Sequence, residues 1–278
     1  MLRKALNLAQ EFLPTARSRE LFNRTVTMAL PAAIPAEKPA KALLDTLCHD
    51  GNVVLPEFWP TDELRALRAD LERRPCYDPW NPLAPDFQVA DTPADVNNAR
   101  IRNVAENRTA LAIANDPLVL QIVSNYLGCL PTIDDIVAWW SLPGRPAPKE
   151  EQFFHRDRDA VKFVKLFVYL SDVGENDGAH VFVKGSHRQN DFTQRRRRYQ
   201  DEEVLPRLGA GDLRVMTGRF GATFLEDTYG LHKGGVPADH PRLVLQVRYT
   251  SYPSNWARKG ANAAPDPRYD PYINRFVA

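Results

Sequence analysis

A histidine and an aspartate stand two residues apart in the segment His155-Arg156-Asp157, within a run of strand-like character, EQFFHRD. Residues two apart in a β-strand project from the same face, so the His155 imidazole and the Asp157 carboxylate can reach one point. The pair offers two ligands for a metal ion. One further histidine from a distant strand would complete the facial arrangement of two histidines and one carboxylate, which suits non-haem Fe(II) and leaves coordination positions open.

The spacing alone is a weak signal, since six histidines and 35 acidic residues among 278 predict roughly 0.8 such matches by chance. The order of two residues further along the chain strengthens the indication of a metal site. His232 lies in EDTYGLHKGG, at the end of the next-to-last predicted strand, and Arg242 begins the last one, RLVLQVRYT. A guanidinium binds a carboxylate through two charge-assisted hydrogen bonds, which is the anchor that a dicarboxylate co-substrate needs away from a metal.

Short β-rich runs follow Pro131 and must position these residues. Turn signals such as Asn176-Asp177-Gly178 separate them, and no helical pattern intervenes. Such a series argues against a parallel sheet and predicts an antiparallel sandwich, barrel or jelly roll. The predicted strands lie in IVAWWS, EQFFHRD, VKFVKLFVYLSDV, AHVFVKGSH, DLRVM, ATFLED and RLVLQVRYT.

Helices are predicted ahead of this β-rich core. The proline-rich stretch LPAAIPAEKPAK indicates a linker, so we expect a helical arm and linker over residues 1–39 and one domain over residues 40–278. A short strand then precedes an amphipathic helix that starts at Thr61. A second helix begins at Asp116-Pro117 and ends at Gly128. Between these helices, residues 76–98 lack periodicity and are predicted to lie over a site as an irregular segment.

Composition excludes several classes of protein. With 36 basic and 35 acidic residues, the net charge of +1 provides no field that would attract nucleic acid or an anionic membrane. The three cysteines are far apart and form neither a disulfide framework nor a zinc motif. The N-terminus does not offer the continuous apolar run of a signal peptide, and no stretch approaches the roughly 18 apolar residues of a membrane span. Its basic residues with few acids leave organelle targeting as an alternative to a plain amphipathic arm. We expect a cytoplasmic protein with a small-molecule substrate, in an oligomeric state that the sequence leaves open.

At the residues described above, the chain resembles the phytanoyl-CoA dioxygenase family of Fe(II)/2-oxoglutarate oxygenases. The similarity runs from about Asp50 to Tyr249 and rests on four segments. These are DGNVVLPEFWPTDELRALRADL, FFHRD, GENDGAHVFVKGSHR and DTYGLHKGG with the RLVLQVRY that follows. The resemblance implies a double-stranded β-helix, Fe(II) as the metal, and 2-oxoglutarate and O₂ as co-substrates. It also implies His155, Asp157 and His232 as iron ligands and Arg242 as the anchor for the C5 carboxylate of 2-oxoglutarate.

Two positions depart from the family pattern. Gly234 stands where many relatives have a serine that contacts the co-substrate. Arg102 is the nearest match to a basic residue that reaches the co-substrate in many members. Asp157 is present where halogenating relatives have a small residue, which favours hydroxylation.

Other interpretations of the same residues stay open. His232 and Arg242 can instead be structural, in a non-catalytic jelly-roll binding protein or a cupin-like metalloenzyme that does not use 2-oxoglutarate. Basic residues near Asp157 suggest an anionic substrate, and the run Arg195–Arg198 is either a solvated face or a lid. Asp159 is a solvated acid or a substrate contact, and His180 has no partner at metal-site spacing. If IVAWWS is a strand, one ring of Trp139-Trp140 faces the core and the other the pocket.

Overall fold

The computed structural model of the protein describes residues 2–56, 59–145, 147–193, 197–255, 257 and 265–277. Its described core contains two antiparallel sheets, which confirms the predicted β-rich jelly-roll class with flanking helices. The strands are β1 Asn52–Val54, β2 Cys76–Tyr77, β3 Asn98–Ile101, β4 Thr132–Ser141, β5 Phe163–Tyr169, β6 His180–Val183, β7 Leu213–Met216, β8 Thr223–Glu226, β9 His232–Gly234 and β10 Arg242–Thr250. The helices are α1 Leu2–Ala9, α2 Ala16–Thr27, α3 Lys38–Asp50, α4 Thr61–Glu72, α5 Arg108–Ala114, α6 Pro117–Leu127 and α7 Asp201–Val204.

Strand β10 lies at the centre of the larger sheet, which has the order β1-β8-β5-β10-β4-β3-β2. The smaller sheet has the order β7-β6-β9. Side chains alternate between the faces of β10, as strand geometry requires. Leu243, Leu245 and Val247 join the core that packs under the helices. Arg242, Gln246 and Arg248 point the other way and line a cavity. One face of this sheet therefore supports the fold while the other carries polar groups.

Helices α4 and α6 begin and end where their sequence signals indicate. Helix α4 starts at Thr61 and buries Leu64, Leu67 and Leu71. The Asp116 side chain accepts hydrogen bonds from the first amides of α6, and Gly128 ends that helix with a φ of 83°. None of the described helices has the length and apolar character needed to cross a membrane.

The segment EQFFHRD forms less strand than predicted. Residues Glu150–Gln152 form a 3₁₀ turn, and two isolated bridges follow, from Phe154 to Tyr199 and from His155 to His232. This segment is therefore extended but pairs with its neighbours at single residues. The extended backbone is enough to place the side chains of His155 and Asp157 on the same side of the segment.

The predicted N-terminal arm packs directly against the β-rich body. Arg19, on α2, is buried and donates hydrogen bonds to the carbonyls of Ala160 and Val161 at 2.7 and 2.9 Å. Asn23, also on α2, donates to the carbonyl of Leu127 at 2.8 Å. The predicted boundary after residue 39 falls inside α3, because a proline in the first helical turn is compatible with a helix and does not require a linker.

Removing the buried guanidinium tests the contribution of the arm to stability. Arg19→Ala leaves two carbonyls without their charged donor, so we expect the free energy of unfolding to fall by about 2–3 kcal/mol. Urea denaturation of the full chain measures this loss. The matched control is Arg17→Ala on the exposed side of α2, which should change stability by less than about 0.5 kcal/mol. Equal effects of the two substitutions would contradict a structural role for Arg19.

Candidate metal and co-substrate site

Three predicted ligands from two parts of the chain meet at one point. The ligand atoms of His155, Asp157 and His232 all lie within 4.8 Å of one another. The Nε2 atoms of His155 and His232 are each 3.5 Å from a different oxygen of Asp157. Atoms that each bind one ion at about 2.1 Å are at most about 4.2 Å apart, so these two separations suit a shared ion. Paired backbones bring the histidines together, since His155 and His232 exchange two main-chain hydrogen bonds of 2.9 and 3.0 Å.

Each histidine has one ring nitrogen committed to the backbone. The Nδ1 atom of His155 lies 2.9 Å from the carbonyl of Phe153, and that of His232 lies 2.9 Å from the carbonyl of Gly230. A carbonyl only accepts, so each Nδ1 carries the proton and each Nε2 keeps a lone pair for a metal. Burial, and then the neighbouring His155, hold the pKa of His232 well below its ordinary value. Two imidazoles with Nε2 facing the carboxylate form a donor set that fits Fe(II).

Lys165 keeps Asp157 ionised inside the protein. The Lys165 ammonium lies 2.6 Å from Oδ2 of Asp157 and 2.9 Å from Oδ2 of Asp159. Burial by itself would raise the pKa of Asp157, but Lys165 and then the two ligand histidines outweigh it and lower that pKa well below its usual range. The carboxylate is thus charged and available as a ligand.

Alternating charges continue from Asp159 across the inner face of the larger sheet. Arg248 lies 3.4 Å from Asp159, 2.6 Å from Asp134 and 3.8 Å from Asp135. Arg100 then pairs with Asp135 at 3.0 Å. Asp159 is therefore an internal ion-pair partner rather than the solvated acid favoured by the sequence. Of the basic residues near Asp157, Lys165 is matched in this way and Lys162 pairs with Glu20 at 2.7 Å. Arg156 and Arg158 donate to main-chain carbonyls.

Arg242 is buried at the start of β10 and lines the cavity. Its guanidinium donates to the carbonyl of Gly178 and, at 2.9 Å, to Oγ of Ser141. Its Nε has no partner among the described residues. A side-chain carbon added at Gly234 would lie 3.6 Å from this guanidinium. The serine hydroxyl expected two residues after His232 is absent, and Ser141 supplies a hydroxyl to Arg242 from another strand.

The structure does not bring Arg102 to the cavity. Its guanidinium makes a two-pronged ion pair with Asp86, with a shortest distance of 2.7 Å, and stacks over the ring of Tyr77. Arg102 follows the end of β3, where the chain has already left the sheet. The basic residue of this strand that lines the cavity is Arg100, two positions earlier. Arg100 and Arg102 are two residues apart and would share a face of an extended strand. The sequence does not show that the strand ends before Arg102, so it could not identify Arg100 as the arginine in the cavity.

A second buried pair was missed by the sequence analysis. His180 and Glu226 are 2.7 Å apart at Nε2 and Oε1, and the His180 ring stacks on that of His232 with centroids 5.3 Å apart. Burial, followed by Arg242, lowers the pKa of His180 to about 3, and burial, followed by Asp157, raises that of Glu226 well above its usual value. Both shifts favour the uncharged forms of the two side chains. Glu226 and His180 are 46 residues apart, so no local motif announced the contact.

A cavity of about 780 Å³ connects these groups. Trp139 faces it, whereas the adjacent Trp140 packs into the core, as alternation along β4 predicted. The irregular segment over residues 76–98 contributes Pro79 and Trp80. From the predicted arginine run, Arg198 lines the cavity, while Arg195 and Arg196 lie outside the described residues.

A family model for phytanoyl-CoA dioxygenase matches residues 47–215. The chain belongs to the phytanoyl-CoA dioxygenase family. The matched residues include His155 and Asp157 and end before His232 and Arg242, so the fold adds the second half of the site. Comparison with curated protein sequences gave no match.

Solved structures confirm the fold of this phytanoyl-CoA dioxygenase family member. HygX from Streptomyces hygroscopicus, with nickel, 2-oxoglutarate and hygromycin B bound, has a TM-score of 0.55 at 19% identity, covering 86% of this chain and 97% of that chain. The epimerase SnoN, in complex with Fe³⁺, α-ketoglutarate and nogalamycin RO, has a TM-score of 0.55 at 16% identity, with 76% and 83% covered. AviO1 from Streptomyces viridochromogenes Tue57 has a TM-score of 0.53 at 18% identity, with 83% and 100% covered.

Replacing the buried cation tests the electrostatic design of the site in this family member. Lys165→Met leaves Asp157 and Asp159 without their shared ammonium, so we expect the free energy of unfolding to fall by about 3–5 kcal/mol. Lys165→Arg keeps the positive charge, so its free energy of unfolding should fall clearly less than that of Lys165→Met. Lys41→Met, on the exposed side of α3, is the control. Urea denaturation compares the three variants, and a Lys165→Met protein as stable as the control would refute the argument.

Proposed function

We propose that the protein is an Fe(II)- and 2-oxoglutarate-dependent dioxygenase that hydroxylates a small or medium-sized organic substrate. One observation carries the proposal. Two imidazoles and an ionised carboxylate meet in a cavity that also contains the buried guanidinium of Arg242. The first three groups match the donor preference of Fe(II), and the fourth matches a dicarboxylate.

His155, Asp157 and His232 would hold the iron in this proposal. Iron bound with 2-oxoglutarate and O₂ supplies oxidation of a substrate C–H bond, with release of succinate and CO₂. The chain keeps both imidazoles in the metal-binding tautomer through the carbonyls of Phe153 and Gly230. Lys165 holds Asp157 as a carboxylate and fixes its orientation through Oδ2.

Arg242 would bind the far carboxylate of 2-oxoglutarate. A guanidinium presents two parallel N–H groups to a carboxylate, and burial strengthens both hydrogen bonds by excluding water. Ser141 fixes the orientation of this fork from β4. Trp139, on the same strand and facing the same side as Ser141, adds an aromatic ring to the lining of the cavity.

Two further observations support a hydroxylase with a small-molecule substrate. Asp157 is a carboxylate, whereas halogenating relatives have a small residue at this position. Among similar folds, HygX is described with hygromycin B bound and SnoN with nogalamycin RO. SnoN is an epimerase and SnoK a carbocyclase, so the same fold also supports other outcomes of C–H oxidation.

Removing the carboxylate ligand tests the iron site. Asp157→Ala should abolish Fe(II)-dependent conversion of 2-oxoglutarate to succinate. The reason is that two imidazoles without the carboxylate do not complete the three-ligand facial site and bind Fe(II) weakly. Succinate formation measured with purified protein, added Fe(II) and ascorbate checks this. Asp62→Ala on the exposed surface of α4 is the control and should keep wild-type turnover. Retention of iron-dependent succinate formation by Asp157→Ala would overturn the ligand assignment.

Changing the guanidinium tests the co-substrate anchor separately. Arg242→Ala should raise the KM for 2-oxoglutarate by roughly 10- to 100-fold, since a charge-assisted hydrogen-bonded pair contributes about 1.5–3 kcal/mol. Arg242→Lys keeps the positive charge but not the planar guanidinium, so its KM for 2-oxoglutarate should lie between those of wild type and Arg242→Ala. Arg219→Ala, which is exposed, should leave KM unchanged. An unchanged KM in a folded Arg242→Ala protein would exclude Arg242 as the anchor.

A further inference from the structure

His232 belongs to a second group of metal-binding side chains besides the one assigned to iron. The ligand atoms of His180, Glu226 and His232 also lie within 4.8 Å of one another. All three residues are buried, and the two histidines line the cavity. The donors are again two imidazoles and one carboxylate, here from β6, β8 and β9. The protein therefore offers a metal ion two neighbouring positions that share one histidine.

Glu226 is a completely buried carboxyl group without a cation beside it. Within the described chain its Oε1 contacts Nε2 of His180 at 2.7 Å, its Oε2 has no hydrogen-bond partner, and it forms no ion pair with a lysine or arginine. Lys165 is its neighbour in the register of β5 and β8, but the ammonium turns to Asp157 and Asp159. A buried acid with so few partners is costly, and coordination to a metal ion would offset that cost.

The spacing of the imidazole rings differs between the two groups. The ring centroids of His155 and His232 are 4.3 Å apart, whereas those of His180 and His232 are 5.3 Å apart. With metal–nitrogen bonds of about 2.1 Å, rings bound at a right angle have centroids about 4.5 Å apart, and rings bound at a tetrahedral angle about 5.2 Å apart. The first spacing suits an octahedral ion such as Fe(II), and the second suits a tetrahedral ion such as Zn(II).

The surroundings of His180 also favour a low coordination number. The ring centroids of Phe167 and Phe224 lie 5.1 and 5.8 Å from that of His180, which leaves little room for additional ligands. Ligand atoms of a tetrahedral ion are about 3.4 Å apart, so Nε2 of His180 and Oε1 of Glu226 need to separate by only about 0.7 Å from their hydrogen-bonded distance. Geometry rather than intrinsic affinity selects the metal in such sites.

The two positions cannot be filled at the same time. Nδ1 of His232 lies 2.9 Å from the carbonyl of Gly230, so only Nε2 is available to an ion. An ion held by His180 and Glu226 therefore takes His232 away from the iron ligands.

We propose that His180, Glu226 and His232 form an alternative site for Zn(II), and that an ion bound there prevents iron from binding at His155, Asp157 and His232. The site requires no 2-oxoglutarate. It is linked to the proposed function only through the shared His232.

Removing a ligand that belongs to the iron site alone leaves the alternative site complete. Untagged Asp157→Ala protein should bind one Co(II), a spectroscopic substitute for Zn(II), with the intense visible absorption of a four-coordinate ion, and Zn(II) should displace it. His155→Ala repeats the test with the contact between Lys165 and Asp157 intact, and so remains informative if Asp157→Ala does not fold. Absence of this absorption from either folded variant, or the weak spectrum of six-coordinate Co(II), would overturn the proposal.

Replacing the carboxylate of the alternative site gives the matched comparison. Glu226→Gln keeps the size of the side chain, and its addition to Asp157→Ala should weaken Co(II) binding by more than the roughly 10- to 100-fold that loss of an outer-shell partner costs. Adding Glu175→Gln, which is exposed, should have no effect. Equal Co(II) affinity with and without Glu226→Gln would contradict the site. Failure of wild type to bind Fe(II) with 2-oxoglutarate would refute the proposed function alone, because Co(II) binding by these variants needs neither.

Discussion

The contact between Lys165 and Asp157 is the interaction on which the rest of the site depends. A carboxylate in a cavity between two sheets is costly to ionise unless a cation lies beside it. Lys165 is a buried residue of β5 and points inward because its neighbours Val164 and Leu166 point into the core. The alternation that builds the core thus also delivers the ammonium to the metal-binding carboxylate. Arg248 and Asp159 extend the same compensation, so the inner face carries many charges with few unmatched.

Separate elements of the fold supply the two functions of the site. The smaller sheet brings His232 to the extended segment of His155 through main-chain hydrogen bonds, and the larger sheet provides Arg242 at the start of β10. Register between β10 and β4 places Ser141 opposite Arg242. Geometry at the metal and geometry at the co-substrate anchor are therefore set by backbone pairing, which is more rigid than a loop.

The residues whose positions follow from local spacing or from the order of motifs could be predicted from the sequence. His155 and Asp157 meet because alternate residues of an extended segment share a side, and Trp139 and Trp140 separate for the same reason. Contacts that depend on strand register or on packing between distant segments could not be predicted from the sequence. Arg102 was selected as the basic residue of its strand, whereas the register of β3 places Arg100 in the cavity, and the sequence does not contain that register. His180 and Glu226 were missed because only the closure of the two sheets brings them together.

The central claim is that this cavity binds one iron ion and 2-oxoglutarate together. The most direct test is anaerobic titration of the wild-type apoprotein with Fe(II) in the presence of 2-oxoglutarate, followed by visible absorption. We predict a metal-to-ligand charge-transfer band that saturates at one Fe(II) per chain and is absent when either component is omitted. Binding of Fe(II) with no such band, or no binding of Fe(II), would contradict the account.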